Sequence, residues 1–169
     1  GHRTVLLEAT PELPQVLAAT CVDLVFNIAE GIRGNSRESQ VPALLELLDI
    51  EYTGSDPASL GLTLDKGLAK RIVREAGVST ARSVVVGRGV PIPEGLRFPV
   101  IVKPNAEGSS KGVHRKSVVT DPDELRDAVD DATGRYGGRV LIEEYLPGRE
   151  FTVAILGELE PRALPPMEN

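Results

Sequence analysis

The sequence has no tryptophan, a single cysteine and few aromatic residues, and each shortage excludes a class of protein. Aromatic residues make up 4% of the 169 residues, too few for a platform on which single-stranded bases stack. The lone thiol, Cys21, can build neither a disulfide framework nor a cysteine-based zinc site. The apolar runs are far shorter than the roughly 20 residues of a membrane-spanning helix. We therefore expect a soluble, cytoplasmic protein.

The charge balance excludes a general nucleic-acid binder. Lysine and arginine number 19, aspartate and glutamate 25, and the formal net charge is −6. Binding along a nucleic-acid backbone requires a basic face that displaces counterions. A local phosphate site remains compatible with this charge. Hydrophobic residues at 41% and charged residues at 26% are typical of a globular chain.

The first third of the chain predicts an α/β unit. A short apolar strand covers residues 22–26, and a second strand with a turn covers residues 51–54. Between them a helix begins near Gln40, because apolar residues follow at helical spacing from Val41 to Leu48. Strand, helix and strand in this order are typical of a parallel α/β unit.

The pair Asp56-Pro57 is a helix-start signal. The helix that follows has two faces and ends at the cap residue Gly77. Its apolar face carries Ala69, Ile72, Val73 and Ala76. Its cationic face carries Lys66, Lys70 and Arg74.

Beyond this helix the patterns predict an antiparallel sheet with a helix on each side. We expect strands at residues 83–86, 100–103, 113–119 and 140–142. A capping box at Asp121 and Glu124 starts a helix that the pair Gly137-Gly138 ends. Residues 151–156 and 159–164 flank Gly157-Glu158, a hairpin turn that begins another sheet.

An apolar strand that ends on Lys103 is followed by a segment of glycine and serine, residues 108–112. Such a segment offers backbone N–H groups and hydroxyls that can surround phosphate oxygens, and Lys103 adds a positive charge. An ordinary mobile turn beside a surface lysine is the alternative, and for this motif alone the commoner one. Lys66, in the first turn of a helix, allows the same two interpretations.

Residues 143–150 form a third motif, in which a strand ends on Glu143 and Glu144 and then turns at a proline. A strand that turns in this way leaves backbone groups free to bind the edge of an adenine, and Glu150 can accept ribose hydroxyls. An acidic surface turn is the alternative.

A cluster of charged residues, Glu30, Arg33, Arg37 and Glu38, follows the first predicted strand. Small ligands usually bind at this end of an α/β unit, and a salt-bridged surface loop is the alternative. The two histidines, His2 and His114, have no spacing that suggests a metal site, and we assign no metal ligand.

Together these segments resemble the ATP-grasp superfamily, and within it the D-alanine–D-alanine ligases and their relatives. The resemblance covers nearly the whole chain and depends on five segments in family order. They are residues 44–55, 64–66, 100–104, 107–110 and 143–156. It implies a fold of class α/β plus α+β. Residues 1–62 would be a partial pre-ATP-grasp α/β domain, residues 63–150 the ATP-binding small lobe, and residues 151–169 the start of the large lobe.

The resemblance also implies an activity: ATP-dependent formation of a dipeptide through an acyl phosphate, as in peptidoglycan synthesis. In this interpretation Lys66 and Lys103 contact the α- and β-phosphates. Ser109 joins a hydrogen-bond network on the substrate side. A flexible loop over the triphosphate would contain Gly108, Ser110 and Gly112. The adenine hinge would be Glu143, Glu144, Tyr145 and Leu146, and the ribose ligand would be Glu150.

The sequence departs from the family in two ways. The opening strand and the second half of the fold are missing, so Mg²⁺ ligands are expected beyond Asn169, and we expect this chain alone to be inactive and to self-associate. Glu30 stands where these ligases usually carry a histidine, and Asn35 where a glutamate is usual. A carboxylate there favours a cationic substrate group, so the substrate is D-alanine or another amino acid or amine. A nucleotide-binding module without catalysis is the other alternative, and the resemblance implies a homodimeric parent.

Overall fold

The computed structural model describes residues 1–157 and 159–169, and a four-stranded antiparallel sheet lies at its centre. The strands are β1 (Ser83–Val86), β2 (Val100–Pro104), β3 (Val118–Val119) and β4 (Val140–Glu144). Their order across the sheet is β1-β4-β2-β3, so β4 pairs with a neighbour on each side. Five helices accompany the sheet in the described residues: α1 (Leu13–Ala19), α2 (Gln40–Leu47), α3 (Pro57–Leu64), α4 (Lys66–Glu75) and α5 (Pro122–Tyr136).

The main core lies between the sheet and α5. Alternate residues of β2 and β4, such as Val100, Val102, Val140 and Ile142, point into it and are at most 2% exposed. The predicted helix is confirmed, since the side chain of Asp121 accepts hydrogen bonds from the first turn of α5. The predicted strand at residues 113–119 is too long, because a 3-10 turn at Arg115–Ser117 precedes β3. The hydroxyl of Ser117 accepts a hydrogen bond from the His114 N–H, which holds that turn.

The first third of the chain has a smaller core of its own, built on α1 and α2 around Leu13, Leu17 and Leu45. The predicted helix from Gln40 is confirmed, whereas α1 was not predicted. The two predicted strands are reduced to one parallel bridge between Val25 and Tyr52. Beyond this bridge, side-chain hydrogen bonds take the place of strand pairing. The Asn27 N–H donates to the Thr53 hydroxyl, and the Asn27 side-chain oxygen accepts from the Ala29 N–H.

Asp56 is followed by two helices because Asp65 interrupts the chain between α3 and α4. Asp56 caps α3, and Asp65 ends α3 with an extended backbone (ψ 97°) while its carboxylate caps α4. The Cβ of any larger residue at Gly67 would clash with the Val85 side chain, so α4 approaches β1 at that glycine. This contact turns the cationic side of α4 towards the sheet.

Two antiparallel strand pairs end the chain. β5 (Phe151–Thr152) pairs with β8 (Met167–Glu168), and β6 (Ile155–Leu156) pairs with β7 (Arg162–Ala163). The predicted turn includes Glu158, which lies outside the described residues. In the part of the chain that the structure describes, no helix is both long enough and apolar enough to cross a bilayer. A parallel bridge around α2 and an antiparallel sheet with helices confirm the predicted fold class.

Candidate functional site

Lysine side chains connect the three motifs that the sequence singles out across one face of the sheet: the Gly/Ser loop follows the end of β2, and the acidic end of β4 lies beside the start of β2. The Lys66 ammonium donates a hydrogen bond to the carbonyl of Glu107, at the start of the Gly/Ser loop (residues 105–112). The Lys103 ammonium pairs with the carboxylate of Glu143, at the end of β4. Burial lowers the pKa of half-buried Lys66, and the nearby Lys103 ammonium lowers it further. The loop, the two lysines and the acidic strand end therefore form one connected cluster.

Glu143 holds two lysines at once. Lys103 pairs with Glu143 Oε2, and Lys70 pairs with Glu143 Oε1 while donating to the Thr80 hydroxyl at 2.6 Å. Burial raises the pKa of Glu143, but hydrogen bonds from Lys103 and Lys70 outweigh it, so the pKa lies below its ordinary value. The carboxylate thus remains charged. The sequence pattern placed Lys70 on the cationic helix face without a role in the site, and its i,i+4 spacing from Lys66 is the signal that could have found it.

Asn105, which the sequence analysis did not single out, attaches α4 to the end of β2. The carbonyl of Asn105 accepts from the Lys66 N–H at 2.9 Å, and its side-chain oxygen accepts from the Gly67 N–H at 3.0 Å. Asn105 is 1% exposed. Two N–H groups of the first turn of α4 are therefore satisfied by the residue that follows Lys103-Pro104, which fixes Lys66 beside Lys103.

The Gly/Ser loop carries two serines in an unusual conformation. Ser109 and Ser110 have φ values of 48° and 58°, and the Lys111 N–H closes the turn on the Gly108 carbonyl at 2.9 Å. Positive φ is uncommon outside glycine and asparagine. The exposed hydroxyls at the loop tip are therefore present despite a conformation that glycine would adopt at lower cost.

Gly112 fixes the far end of this loop. With φ at 79°, it lies so close to Pro104 and Tyr136 that an added Cβ would be 2.6 Å and 2.9 Å from their ring carbons. Only glycine fits here.

The charged segment after the first predicted strand lies against the same loop. Arg37 donates to the carbonyl of Ala106 at 2.8 Å and pairs with the Glu107 carboxylate at 3.2 Å. The hydroxyl of Ser109 donates to the carboxylate of Glu30. Arg33, by contrast, is exposed and shares a polar cavity of about 300 Å³ with Arg37 and Glu107. Arg37 is therefore salt-bridged, and both Arg37 and Glu30 contact the Gly/Ser loop.

The hinge differs from the sequence expectation in its hydrogen bonds. The N–H groups of Glu144 and Tyr145 were expected to be free, but they donate to the carbonyls of Arg82 (2.8 Å) and Pro99 (3.1 Å). Leu146 is 63% exposed. Among the described residues, no hydrogen bond or ion pair connects Glu150 to the cluster; its carbonyl accepts from the Asn169 N–H.

No metal centre is found within residues 1–157 and 159–169. In that part of the chain, no three or more histidine, cysteine, aspartate or glutamate side chains are grouped so that they could hold a metal ion. The site is built from lysines, a carboxylate and a serine-tipped loop, a donor set that fits an anionic ligand.

A protein-family comparison agrees with this geometry. Residues 74–169 match the family described as D-ala D-ala ligase C-terminus, which is more than half of the chain. The chain belongs to this D-alanine–D-alanine ligase family. Over 99% of its length it is 41% identical to an uncharacterized protein, y4sG, of Sinorhizobium fredii, covering 52% of that protein. Over 94% it is 38% identical to a D-alanine–D-alanine ligase of Geobacter sulfurreducens, covering 49% of it.

Solved structures of the family show the same fold. The VanG D-Ala:D-Ser ligase of Enterococcus faecalis aligns with 87% of this chain at a TM-score of 0.71 and 30% identity, with 43% of that protein covered. A Bacillus anthracis D-alanine–D-alanine ligase complexed with ATP aligns with 90% at a TM-score of 0.68 and 25% identity, with 55% covered. The chain thus spans about half the length of the relatives that it matches.

Proposed function

We propose that the chain is the ATP-binding part of an ATP-dependent ligase that joins a carboxylate to an amine, as a D-alanine–D-alanine ligase does. The observation that carries the proposal is that Lys66 bonds the loop with Ser109 and Ser110 at its tip and lies near Lys103, while Lys103 pairs with Glu143 across the face of the sheet. An ATP complex of a family member supports the choice of nucleotide.

The chemistry of such a ligase matches what these residues can supply. A substrate carboxylate attacks the γ-phosphorus of ATP, a new O–P bond forms, and the bond to ADP breaks. The amine of the second substrate then attacks the acyl carbon, phosphate leaves, and the amine loses a proton. Phosphoryl transfer depends on positioning and on neutralising charge, which Lys66, Lys103 and the hydroxyl of Ser110 can provide. A closed loop would keep water from the acyl phosphate.

We propose the remaining roles in the same terms. Glu143 to Leu146 would border the adenine, and Ser109 would face the substrate. Gly108 and Gly112 would let the loop approach the phosphates, and Glu150 would bind ribose after a rearrangement of the strand that follows. The proposed division of the chain is an α/β region at residues 1–62, an ATP-binding lobe at 63–150 and the beginning of a further lobe at 151–169.

Mg²⁺ would arrive with the nucleotide as Mg-ATP. The described residues offer no cluster of metal ligands, so we assign no protein ligand to the metal and no step to it. A homodimeric, cytoplasmic enzyme is the proposed setting.

Glu30 favours a second candidate, a ligase of the same fold with a different substrate pair. Its exposed carboxylate lies at the loop tip, bonded to Ser109. A carboxylate in this position favours a substrate that carries an additional positive charge. The match to a D-Ala:D-Ser ligase shows that family members differ in substrate.

Thermal unfolding with and without Mg-ATP tests the nucleotide site. A ligand at a hundred times its Kd adds about 2.7 kcal/mol to the free energy of unfolding, so the melting temperature should rise. The rise should be lost in Lys103→Met. It should persist in Lys116→Met, which removes an exposed lysine for which the described residues show no ion pair. A folded chain whose melting temperature ignores Mg-ATP would refute the proposal.

A further inference from the structure

Lys70 and Lys103, the lysine that the proposed function assigns to the phosphates, share one mostly buried carboxylate, that of Glu143. The side chains of Lys70 and Glu143 are 13% and 11% exposed, and that of Lys103 is 24% exposed. The three residues come from α4, β4 and β2. In the sheet register Ile101 lies opposite Glu143, so Lys103 is its diagonal neighbour on the same face.

We infer that Lys70 is a positioning residue, which acts through Glu143 to leave the Lys103 ammonium available to the phosphate groups of a nucleotide. This inference rests on the proposed function and adds to it a residue that does not itself touch the ligand.

The two oxygens of the Glu143 carboxylate have different partners, and this arrangement supports the inference. Each oxygen of Glu143 receives one ammonium: Oε1 that of Lys70 and Oε2 that of Lys103. With Lys70 in place, one negative charge is divided between two positive charges, and the group retains a net positive charge. Without Lys70, Glu143 and Lys103 would be a neutral one-to-one pair, and both oxygens would be free to hold Lys103 against the sheet.

The position of Lys70 is itself held at two points. Its ammonium donates to the Thr80 hydroxyl at 2.6 Å as well as to Glu143. Gly67, one helical turn earlier on the same face, packs against Val85, which keeps α4 close enough to the sheet for this contact. The second anchor at Thr80 leaves Glu143 with only part of the hydrogen-bonding capacity of Lys70.

Binding titrations with Mg-ATP and with adenosine test this role in the full 169-residue chain. Lys70→Met should weaken Mg-ATP binding by about tenfold, the usual size of a lost charge-assisted interaction. The affinity for adenosine, which has no phosphate but would also lie against Glu143, should fall by much less than the affinity for Mg-ATP. Lys70→Arg should restore Mg-ATP binding, because a guanidinium can also reach Glu143. Lys116→Met is the matched control, which loses the same charge at an exposed position.

A second measurement does not depend on nucleotide binding. The pKa of Glu143, followed by ¹³C NMR, should rise in Lys70→Met and remain unchanged in Lys116→Met, since one of the hydrogen bonds that lowers it is lost. If this rise occurs but no variant or parent binds Mg-ATP, the proposed function fails while the coupling of Lys70 to Glu143 stands.

Two results would overturn the inference. In the first, Lys70→Met binds Mg-ATP as tightly as the parent chain. In the second, it loses affinity for adenosine and Mg-ATP equally, which is the result of a general structural role.

Discussion

Lys66 is kept half-buried beside a second ammonium, at a cost in stability. Burial lowers its pKa and Lys103 lowers it further, below the ordinary value of 10.5. The folded chain therefore holds this proton less tightly than the unfolded chain does. Its charged form is therefore less favourable in the folded chain than in the unfolded chain, and an anionic ligand would explain its presence.

We expect Lys66→Met to raise the melting temperature in the absence of nucleotide and to weaken Mg-ATP binding. Between the lowered pKa and 10.5 the unfolded chain binds more protons, so the stability of the parent should gain with rising pH. The advantage of Lys66→Met should shrink over that range. Urea unfolding at several pH values measures this, and a variant that is less stable at every pH would contradict the expectation.

The side chains of the site show which residue roles the sequence can indicate. Lys103 and Glu143 could be named because each ends an apolar strand, a local pattern. Lys70 could not, because its partner lies 73 residues further along the chain. Asn105 was missed for a similar reason, since its partners belong to a helix that precedes it by 38 residues.

At the scale of elements, α4 was the hardest to predict. Its sequence has an apolar face that includes Ile72 and Val73 and a cationic face that includes the lysines. In the structure Ile72 is 45% exposed and Val73 is 39% exposed, whereas Lys70 of the cationic face is mostly buried. The ion pair of Lys70 and the close approach at Gly67 accompany this arrangement, and neither can be read from the spacing of apolar residues.

β2, β4 and α5 were predictable because burial alone determines them. Their apolar residues alternate in the strands and recur every three or four residues in the helix, and these residues form the main core. The short strands at residues 22–26 and 51–54 were not, because side-chain hydrogen bonds end their pairing after one bridge.

Two alanine substitutions in helices should have opposite effects. Gly67→Ala places a methyl group against Val85 and should lower the free energy of unfolding by about 1–3 kcal/mol. Gly134→Ala, in α5, meets nothing within 4 Å. It should raise the free energy of unfolding by about 0.5–1 kcal/mol, the propensity gain of alanine over glycine. Chemical denaturation of both variants checks this, and equal effects would show that α4 does not depend on the close approach.

At the scale of the whole molecule, one arginine joins the first third of the chain to the Gly/Ser loop. Arg37 bonds both the backbone and the carboxylate at the base of that loop. Its loss should cost the loop about 1 kcal/mol of local stability, and amide exchange at residues 106–111 should become about fivefold faster in Arg37→Met. Arg33→Met, which removes an exposed arginine of the same segment, is the control. Equal exchange in both variants would mean that this connection does not restrain the loop.

The molecule also exposes an unusual amount of surface. Its accessible area is 12390 Å², against about 8,000 Å² for a compact monomer of 18.1 kDa. Large apolar residues contribute to the excess, among them Leu6, Phe26, Ile28, Leu47, Phe151, Ile155, Leu156, Leu159 and Met167. We expect the isolated chain to self-associate, with a mass in light scattering that increases with concentration. A constant monomer mass across the series would count against this.

The two faces of the central strand β4 have different roles, because successive side chains point to opposite sides of the sheet. Val140 and Ile142 point into the core, while the next residue, Glu143, pairs with the lysines. A substitution that changes the side-chain volume at Ile142 would shift the backbone of β4 and so change the direction of the Glu143 side chain. Core substitutions in this strand that alter thermal stability would therefore also change nucleotide affinity. Stabilising substitutions on the solvent-exposed face of α5 would leave that affinity unchanged.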